Sequence, residues 1–79
     1  MQVQILSPQG ILYQGKDITA ITLPGSKGEF MVLKGHAAII STLSKGNVRV
    51  QPKGEEEQSI SVAGGFVEVL NDVVSVCVY

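Results

Sequence analysis

The sequence has very few of the residues that build metal and disulfide sites. It contains one cysteine, Cys77, and one histidine, His36. One cysteine cannot form an internal disulfide, and together the two residues fall short of the three or four ligands of a protein zinc site. Because Cys77 stands in a valine-rich segment, we interpret it as a small buried apolar residue. We therefore expect no metal and no cofactor, and the cysteine usage points to a reducing compartment.

Charge and aromatic residues are also scarce. Charged residues make up 16% of the chain, with six Lys and Arg against seven Asp and Glu, and there is no tryptophan. Nucleic-acid binding relies on clustered basic residues and stacking aromatics, so we expect no nucleic-acid partner. The opening "MQVQILSPQG" lacks the features of a signal peptide, and no apolar run approaches 18 residues. We therefore expect no direct membrane insertion, and any membrane association through another subunit.

The length of 79 residues allows one domain, spanning 1–79. A domain of this size buries only about 60% of the surface of its unfolded chain, so its stability is expected to be marginal. Without a disulfide or a metal, a protein partner is the remaining source of extra stability.

Alternation of apolar and polar residues is the dominant pattern. In "VVSVCVY", Val74, Val76 and Val78 share one face, and "NVRV", "QSISV" and "VQI" repeat the pattern. Strict alternation is typical of half-buried antiparallel strands. No segment has a long helical stripe, although a single helical turn could follow His36. The sequence predicts an all-β fold, a small flattened antiparallel sandwich or barrel of about ten short strands.

Turn signals separate these short strands. Asn71-Asp72 suits a two-residue turn because both residues tolerate positive φ. The acidic run Glu55–Glu57 is interpreted as a solvated hairpin tip. The pair Gly64-Gly65 predicts a bulge or sharp bend between strands.

No arrangement of residues predicts catalysis. His36 could serve as a general base, but no nucleophile-elbow pattern surrounds Ser41 or Ser44. The glycines of "LPGSKG" have neither the spacing nor the helix of a P-loop. We therefore expect no enzyme active site, and interpret His36 as a structural loop residue or an interface contact.

One alternative from a different class is a prosthetic-group carrier. Small β-sandwiches that carry biotin or lipoate present a lysine at a hairpin tip, and Lys53 in "QPKGEEE" stands at a predicted tip. The methionines that flank the lysine in biotin carriers are absent, and the run of glutamates is an unusual neighbour. The carrier is the second hypothesis.

Nearly the whole chain resembles the N-terminal β-sandwich domain of the epsilon subunit of F-type ATP synthases. The resemblance starts at "VQILSPQGILYQG" and continues through "LPGSKGEFMVLKGHAAIISTLSKGNVRV" and "SVAGGFVEVLNDVVSV". Its most specific parts are the P-G-x-x-G-E-F and G-H-A turns, the G-x-x-R segment and the G-G-F-x-E-V segment. It implies a flattened ten-stranded sandwich in a non-catalytic central-stalk (rotor) subunit, which packs on the gamma subunit and the c ring and helps couple ion translocation to ATP synthesis.

The resemblance also implies roles for individual residues. Glu29, with Phe30 and Met31, matches the loop that meets the c ring, whereas His36 and Ser41 match positions that face gamma. The aligned glycines permit tight turns and close strand approach; they are Gly25, Gly28, Gly35, Gly64 and Gly65. The implied location is peripheral, on the cytoplasmic face of a bacterial inner membrane or its equivalent, through the ATP synthase complex.

The sequence departs from the family pattern in three places. Lys34 and Ala38 replace prolines on either side of G-H-A, which predicts a more mobile loop. Met31 stands where many members have glycine, so the ring contact must accommodate a longer side chain. The sequence ends at Tyr79 without the helical hairpin of many members. From this ending we expect no hairpin-type inhibition and no ATP bound by this chain.

Overall fold

A computed structural model describes residues Met1–Tyr79 as nine strands without a helix. There is accordingly no helix with the length and apolar character needed to cross a membrane. The strands are β1 (Gln2–Ser7), β2 (Gly10–Gly15), β3 (Ile18–Leu23), β4 (Phe30–Leu33), β5 (Ile39–Leu43), β6 (Gly46–Pro52), β7 (Gln58–Val62), β8 (Gly65–Leu70) and β9 (Val73–Val78).

The strands form two sheets. The five-stranded sheet has the order β2-β1-β9-β8-β5, and the four-stranded sheet has the order β4-β3-β6-β7. Valine, isoleucine and leucine from the inward faces of both sheets form one core of 15 buried apolar residues. The predicted inward faces are confirmed, because Val74, Val76 and Val78 all belong to this core together with Val48 and Val50.

The all-β sandwich is confirmed, with two differences in detail. There are nine strands rather than about ten, and β1 pairs with β9 in parallel, Val3 opposite Val74. A parallel pair needs a long connection, which the seven intervening strands provide. The possible helical turn after His36 does not form, because β-branched Ile39 and Ile40 instead pair with β8.

The β8–β9 turn follows the prediction closely. Asn71 and Asp72 adopt φ of 50° and 63°, the left-handed conformation that a two-residue type I′ turn requires. Glu55–Glu57 are exposed in the β6–β7 connection, as expected for a solvated tip. Cys77, which we expected to be buried, is half-buried. The alternation that directs Val76 and Val78 inward turns Cys77 to the outward face.

Candidate partner-binding surfaces

The β3–β4 loop is a compact turn fixed to the neighbouring sheet. The Ser26 N–H donates to the Thr42 carbonyl over 3.0 Å, and the Gly28 N–H donates to the Gly25 carbonyl over 3.0 Å. A Cβ at Gly25 would lie 2.8 Å from the Phe30 ring, whereas Gly28 adopts φ of +130° in open space. The first glycine therefore allows close packing, and the second supplies a backbone conformation that other residues rarely adopt.

The three predicted ring-facing residues stand at the end of this loop and the start of β4, and they differ in exposure. The Glu29 side chain is 63% exposed and accepts a 2.9 Å hydrogen bond from Nη2 of Arg49. Phe30 is half-buried and packs against the core, while Met31 is exposed on the outward face. Glu29 and Met31 are thus available to a partner, and Phe30 fixes the loop to the sandwich.

Ser41, predicted to face gamma, lies beside this loop. Glu29, Phe30 and Ser41 line one groove between the β3–β4 loop and β5. Ser41 is half-buried on the inward-facing side of β5, opposite Val67, and its hydroxyl donates to the Thr42 carbonyl over 3.1 Å. Its outward neighbours on the same strand are Ile40 and Thr42.

His36 lies in the exposed turn at the other end of β4. Its N–H donates to the Leu33 carbonyl over 3.0 Å, and Nδ1 lies 2.7 Å from the Ala37 carbonyl oxygen. The preceding residue, Gly35, adopts φ of +81°, and its N–H donates to Oδ1 of Asp72 over 2.9 Å. The imidazole therefore bonds to loop backbone, in an arrangement that orients no nucleophile.

Gly64 and Gly65, where β7 leads into β8, adopt positive φ of +144° and +148°, which residues with a side chain rarely adopt. A Cβ at Gly65 would overlap the Cys77 carbonyl and lie 2.9 Å from Cα of Val78. Gly65 thus allows β8 and β9 to approach where a side chain would separate them. No group of three or more His, Cys, Asp or Glu side chains is placed to hold a metal ion.

An exposed apolar row on the five-stranded sheet was missed by the sequence reasoning. Cross-strand pairing aligns Phe66, Cys77, Leu6 and Ile11 from β8 to β2 on the outward face. Phe66 is 49% exposed and Ile11 is 60% exposed. A second apolar area on this face contains Ile40 and Leu70, beside the exposed Glu68.

The sequence does contain a signal for this face. In "GFVEVL", the residues that alternate with the buried valines are Phe, Glu and Leu, so two of the three outward positions of this strand are apolar where a half-buried strand usually has polar residues. A large exposed apolar area marks a contact surface more often than an isolated exposed residue does.

Lys53 and Tyr13 lie near the cleft between β2 and the β6–β7 connection. Lys53 is exposed at the β6–β7 tip, and its N–H donates to the Asp17 carbonyl over 2.8 Å. Tyr13 lines a cleft with Glu55. Burial raises the pKa of the Tyr13 hydroxyl, and the nearby negative charge of Glu55 raises it further.

Comparison with known protein families identifies the family to which this sandwich belongs. Residues 1–79 match the family described as "ATP synthase, Delta/Epsilon chain, beta-sandwich domain". The chain belongs to this family. The resemblance inferred from the P-G-x-x-G-E-F and G-H-A turns is thereby confirmed, and membership of this family favours the subunit hypothesis over the carrier.

Relatives named ATP synthase epsilon chain match most of the chain. The protein of Leptospira borgpetersenii serovar Hardjo-bovis (strain JB197) is 41% identical over 76 residues, covering 96% of this chain and 58% of the relative. That of Campylobacter jejuni subsp. jejuni serotype O:23/36 (strain 81-176) is 40% identical over 73 residues, covering 92% and 56%. The chain thus spans little more than half the length of these relatives.

Solved structures share the fold. A chain of the Euglena gracilis mitochondrial ATP synthase structure "OSCP/F1/c-ring in rotational state 1" superimposes with a TM-score of 0.89 at 25% identity, covering 96% of this chain and 48% of that one. A chain of the Tetrahymena thermophila mitochondrial ATP synthase "central stalk/cring" structure gives 0.84 at 17% identity, covering 99% and 62%. The second similarity concerns the fold alone.

Proposed function

We propose that the chain acts as a non-catalytic central-stalk (rotor) subunit of an F-type ATP synthase. It packs on the gamma subunit and the c ring and helps couple ion translocation to ATP synthesis. The main support for this proposal is the 41% identity to an ATP synthase epsilon chain over 96% of this sequence. The domain 1–79 acts as one unit, located peripherally at the membrane through the complex.

The β3–β4 loop forms the proposed c-ring contact. Glu29 supplies an exposed carboxylate that can accept hydrogen bonds from polar loops of the ring. Met31 adds an exposed apolar side chain beside it. Phe30 contributes indirectly, because its ring packs against the sandwich core and holds the loop in place.

The proposed gamma contact includes His36 and the outward face of the five-stranded sheet. Ile40 is 75% exposed and Phe66 is 49% exposed, so burying them against a partner would add hydrophobic stabilisation. Ser41 takes part indirectly, since its half-buried hydroxyl bonds to the backbone of the strand that presents Ile40 and Thr42. This surface suits a chain whose small core makes a partner useful for stability.

Association with gamma tests this proposal. The chain, mixed with the gamma subunit of the same source, is expected to elute from size-exclusion chromatography as a one-to-one complex. Replacing His36 with Ala and Phe66 with Ser should weaken the complex. Lys53→Gln, in the exposed β6–β7 connection and outside the proposed contacts, is the surface control and should leave it intact.

Two results would contradict the proposal. One is the absence of a complex at micromolar concentrations in both the presence and the absence of the c ring. The other is an intact mass that reveals a prosthetic group on Lys53, which would favour the carrier hypothesis. Calorimetry with ATP should show no binding, in keeping with a chain that supplies contacts instead of a nucleotide site.

A further inference from the structure

Arg49, in strand β6 of the four-stranded sheet, holds the Glu29 side chain. Its Nη2 lies 2.9 Å from Oε1 of Glu29, and its Nη1 lies 3.8 Å from Oε1 of Glu57. Glu29 immediately precedes β4 and Glu57 immediately precedes β7. Because these are the outer strands of the four-stranded sheet, a single guanidinium group links its two edges.

The strand register explains how Arg49 reaches both carboxylates. It stands in the middle of β6, opposite Thr22 of β3 and Ser59 of β7. Thr22 lies in turn between Arg49 and Met31, and it is only 7% exposed. The two longer neighbours therefore cover the short threonine, and the arginine stem lies against the sheet while its charged end stays at the surface.

The β3–β4 loop is attached to the neighbouring sheet mainly through its first part. These attachments hold its first part: the Pro24 carbonyl accepts from the Ser44 N–H, Gly25 bridges to Leu43, the Ser26 N–H donates to the Thr42 carbonyl, and the turn closes between Gly25 and Gly28. Gly28 has no side chain, and nothing lies within 4 Å of an added Cβ there, so side-chain packing does not hold the backbone just before Glu29. The hydrogen bond from Arg49 is the one side-chain bond that fixes the end of this loop to the four-stranded sheet.

We propose that Arg49 is a positioning residue, which holds the Glu29 carboxylate ready for the partner, and that Glu57 balances its charge. The inference rests on the proposed function, because the partner concerned is the c ring. Arg49 engages Oε1 and leaves Oε2 for a donor from the partner. A carboxylate that is already ordered loses less conformational freedom on binding.

The charges define the kind of partner group that fits. One guanidinium between two carboxylates leaves this cluster a net charge of −1. The cluster therefore favours N–H donors or a basic side chain on the partner's loop, and disfavours an acidic one. Removing Arg49 makes the cluster more negative. Charge attraction alone would then strengthen the binding of a basic loop, whereas loss of positioning weakens it.

Amide hydrogen exchange in the unbound chain tests the positioning role without any partner. In Arg49→Gln, exchange across residues 26–30 should rise by roughly two- to fivefold, the range expected from losing an exposed ion pair. Arg49→Lys should fall between the variant and the wild type, since lysine keeps the charge but not the planar fork. Lys53→Gln removes the same charge at a site that contacts neither carboxylate and should change nothing in the loop.

Binding to the purified ring of c subunits then tests the consequence. Arg49→Gln should weaken binding by roughly two- to fivefold, in proportion to the lost loop order. Glu57→Gln changes the balancing group, with Glu56→Gln as its matched neighbour, and only the former should alter binding. The exchanged pair Glu29→Arg/Arg49→Glu should restore loop protection without restoring binding, because the partner then meets the wrong charge.

The outcomes separate this inference from the proposed function. Unchanged loop exchange in Arg49→Gln, or tighter ring binding by that variant, would overturn the positioning role and leave the proposed function intact. A wild-type chain that does not bind the ring would overturn the proposed function and the partner named here. The exchange measurement would still decide whether Arg49 orders the loop.

Discussion

At the scale of single residues, Gly65 is under the tightest steric constraint. It pairs with Val78 across β8 and β9, adopts φ of +148°, and has no room for a Cβ beside Cys77 and Val78. Because β9 lies between β8 and β1 in the five-stranded sheet, any shift made to relieve the overlap would be passed to the next strand. A methyl group there disturbs the pairing of three strands.

Gly65→Ala is therefore expected to destabilise the chain by about 3 kcal/mol or more, from backbone strain and steric overlap together. Gly10→Ala is the matched control, because Gly10 has φ of +133° but nothing within 4 Å of an added Cβ. It should lose about 1–2 kcal/mol from strain alone. Urea denaturation measures both values, and equal losses would show that the close approach at Gly65 has no energetic effect.

Tyr13 gives the stability a defined dependence on alkaline pH. Its pKa in the folded chain is raised above the usual value of about 10 by burial and then by Glu55. Above pH 10 the unfolded chain loses this proton more readily, so the free energy of unfolding should fall as the pH rises through the folded pKa. Tyr13→Phe should flatten that fall in denaturation curves measured between about pH 9 and 11. An unchanged slope would rule out this cause.

At the scale of elements, the β8–β9 turn is fixed both by its own backbone and by its neighbour. Asp72 has φ of 63°, and its carboxylate accepts the 2.9 Å hydrogen bond from Gly35. The β8–β9 turn of the five-stranded sheet thereby holds the β4–β5 connection, which begins in the four-stranded sheet. The two prolines absent around His36 leave this connection without their φ restriction, so the bond to Asp72 supplies an alternative restraint.

Asp72→Ala is expected to destabilise the chain by about 1–2 kcal/mol, since alanine neither accepts the bond nor tolerates positive φ as well. Asp72→Asn keeps a side-chain acceptor and the tolerance for this conformation, so its loss should stay below about 0.5 kcal/mol. Thermal unfolding compares the two variants. A loss in Asp72→Asn as large as in Asp72→Ala would show that neither feature matters.

The sequence predicts the strands of this fold better than it predicts which strands pair with each other. Alternation identifies the inward valines because it is a local property with a period of two. The parallel pair of β1 and β9 joins residues near opposite ends of the sequence, such as Val3 and Val74, and no local pattern contains that information. The predicted number of strands was nearly right because the turns that separate strands can be recognised from Gly, Pro and the Asn-Asp pair.

Side-chain neighbourhoods were predicted less completely than strands. Glu29 was chosen from the sequence, but its bond to Arg49 depends on β4, β3 and β6 lying side by side. The assignment of His36 and Ser41 to the gamma-facing side stays a prediction, and the groove that Ser41 shares with Glu29 joins residues from separate segments that no local pattern connects. His36 stands in a turn and Ser41, five positions later, stands in a strand. Their spacing alone therefore does not fix whether the two side chains lie on the same face.

At the scale of the whole molecule, substitutions on the inward faces should lower the stability of the fold, whereas substitutions on the outward face should weaken association with a partner. Ile21 is fully buried, and Ile21→Ala should remove about 2–4 kcal/mol. That is a large fraction of the roughly 4–12 kcal/mol typical of a domain of this size. Phe66→Ser, on the outward face, should leave unfolding in urea almost unchanged and weaken association with gamma. A large loss of stability in Phe66→Ser would mean that this face supports the fold instead of a partner.

The position of β9 also determines the order of events during synthesis on the ribosome. The strand lies between β1 and β8, so the nascent polypeptide cannot complete the larger sheet until Val73–Val78 have left the exit tunnel. Until then, β1 and β8 each have an unpaired edge, and apolar side chains intended for the core remain open to chaperones and to neighbouring nascent chains. We expect the domain to acquire protease resistance late, in a single step, as β9 emerges.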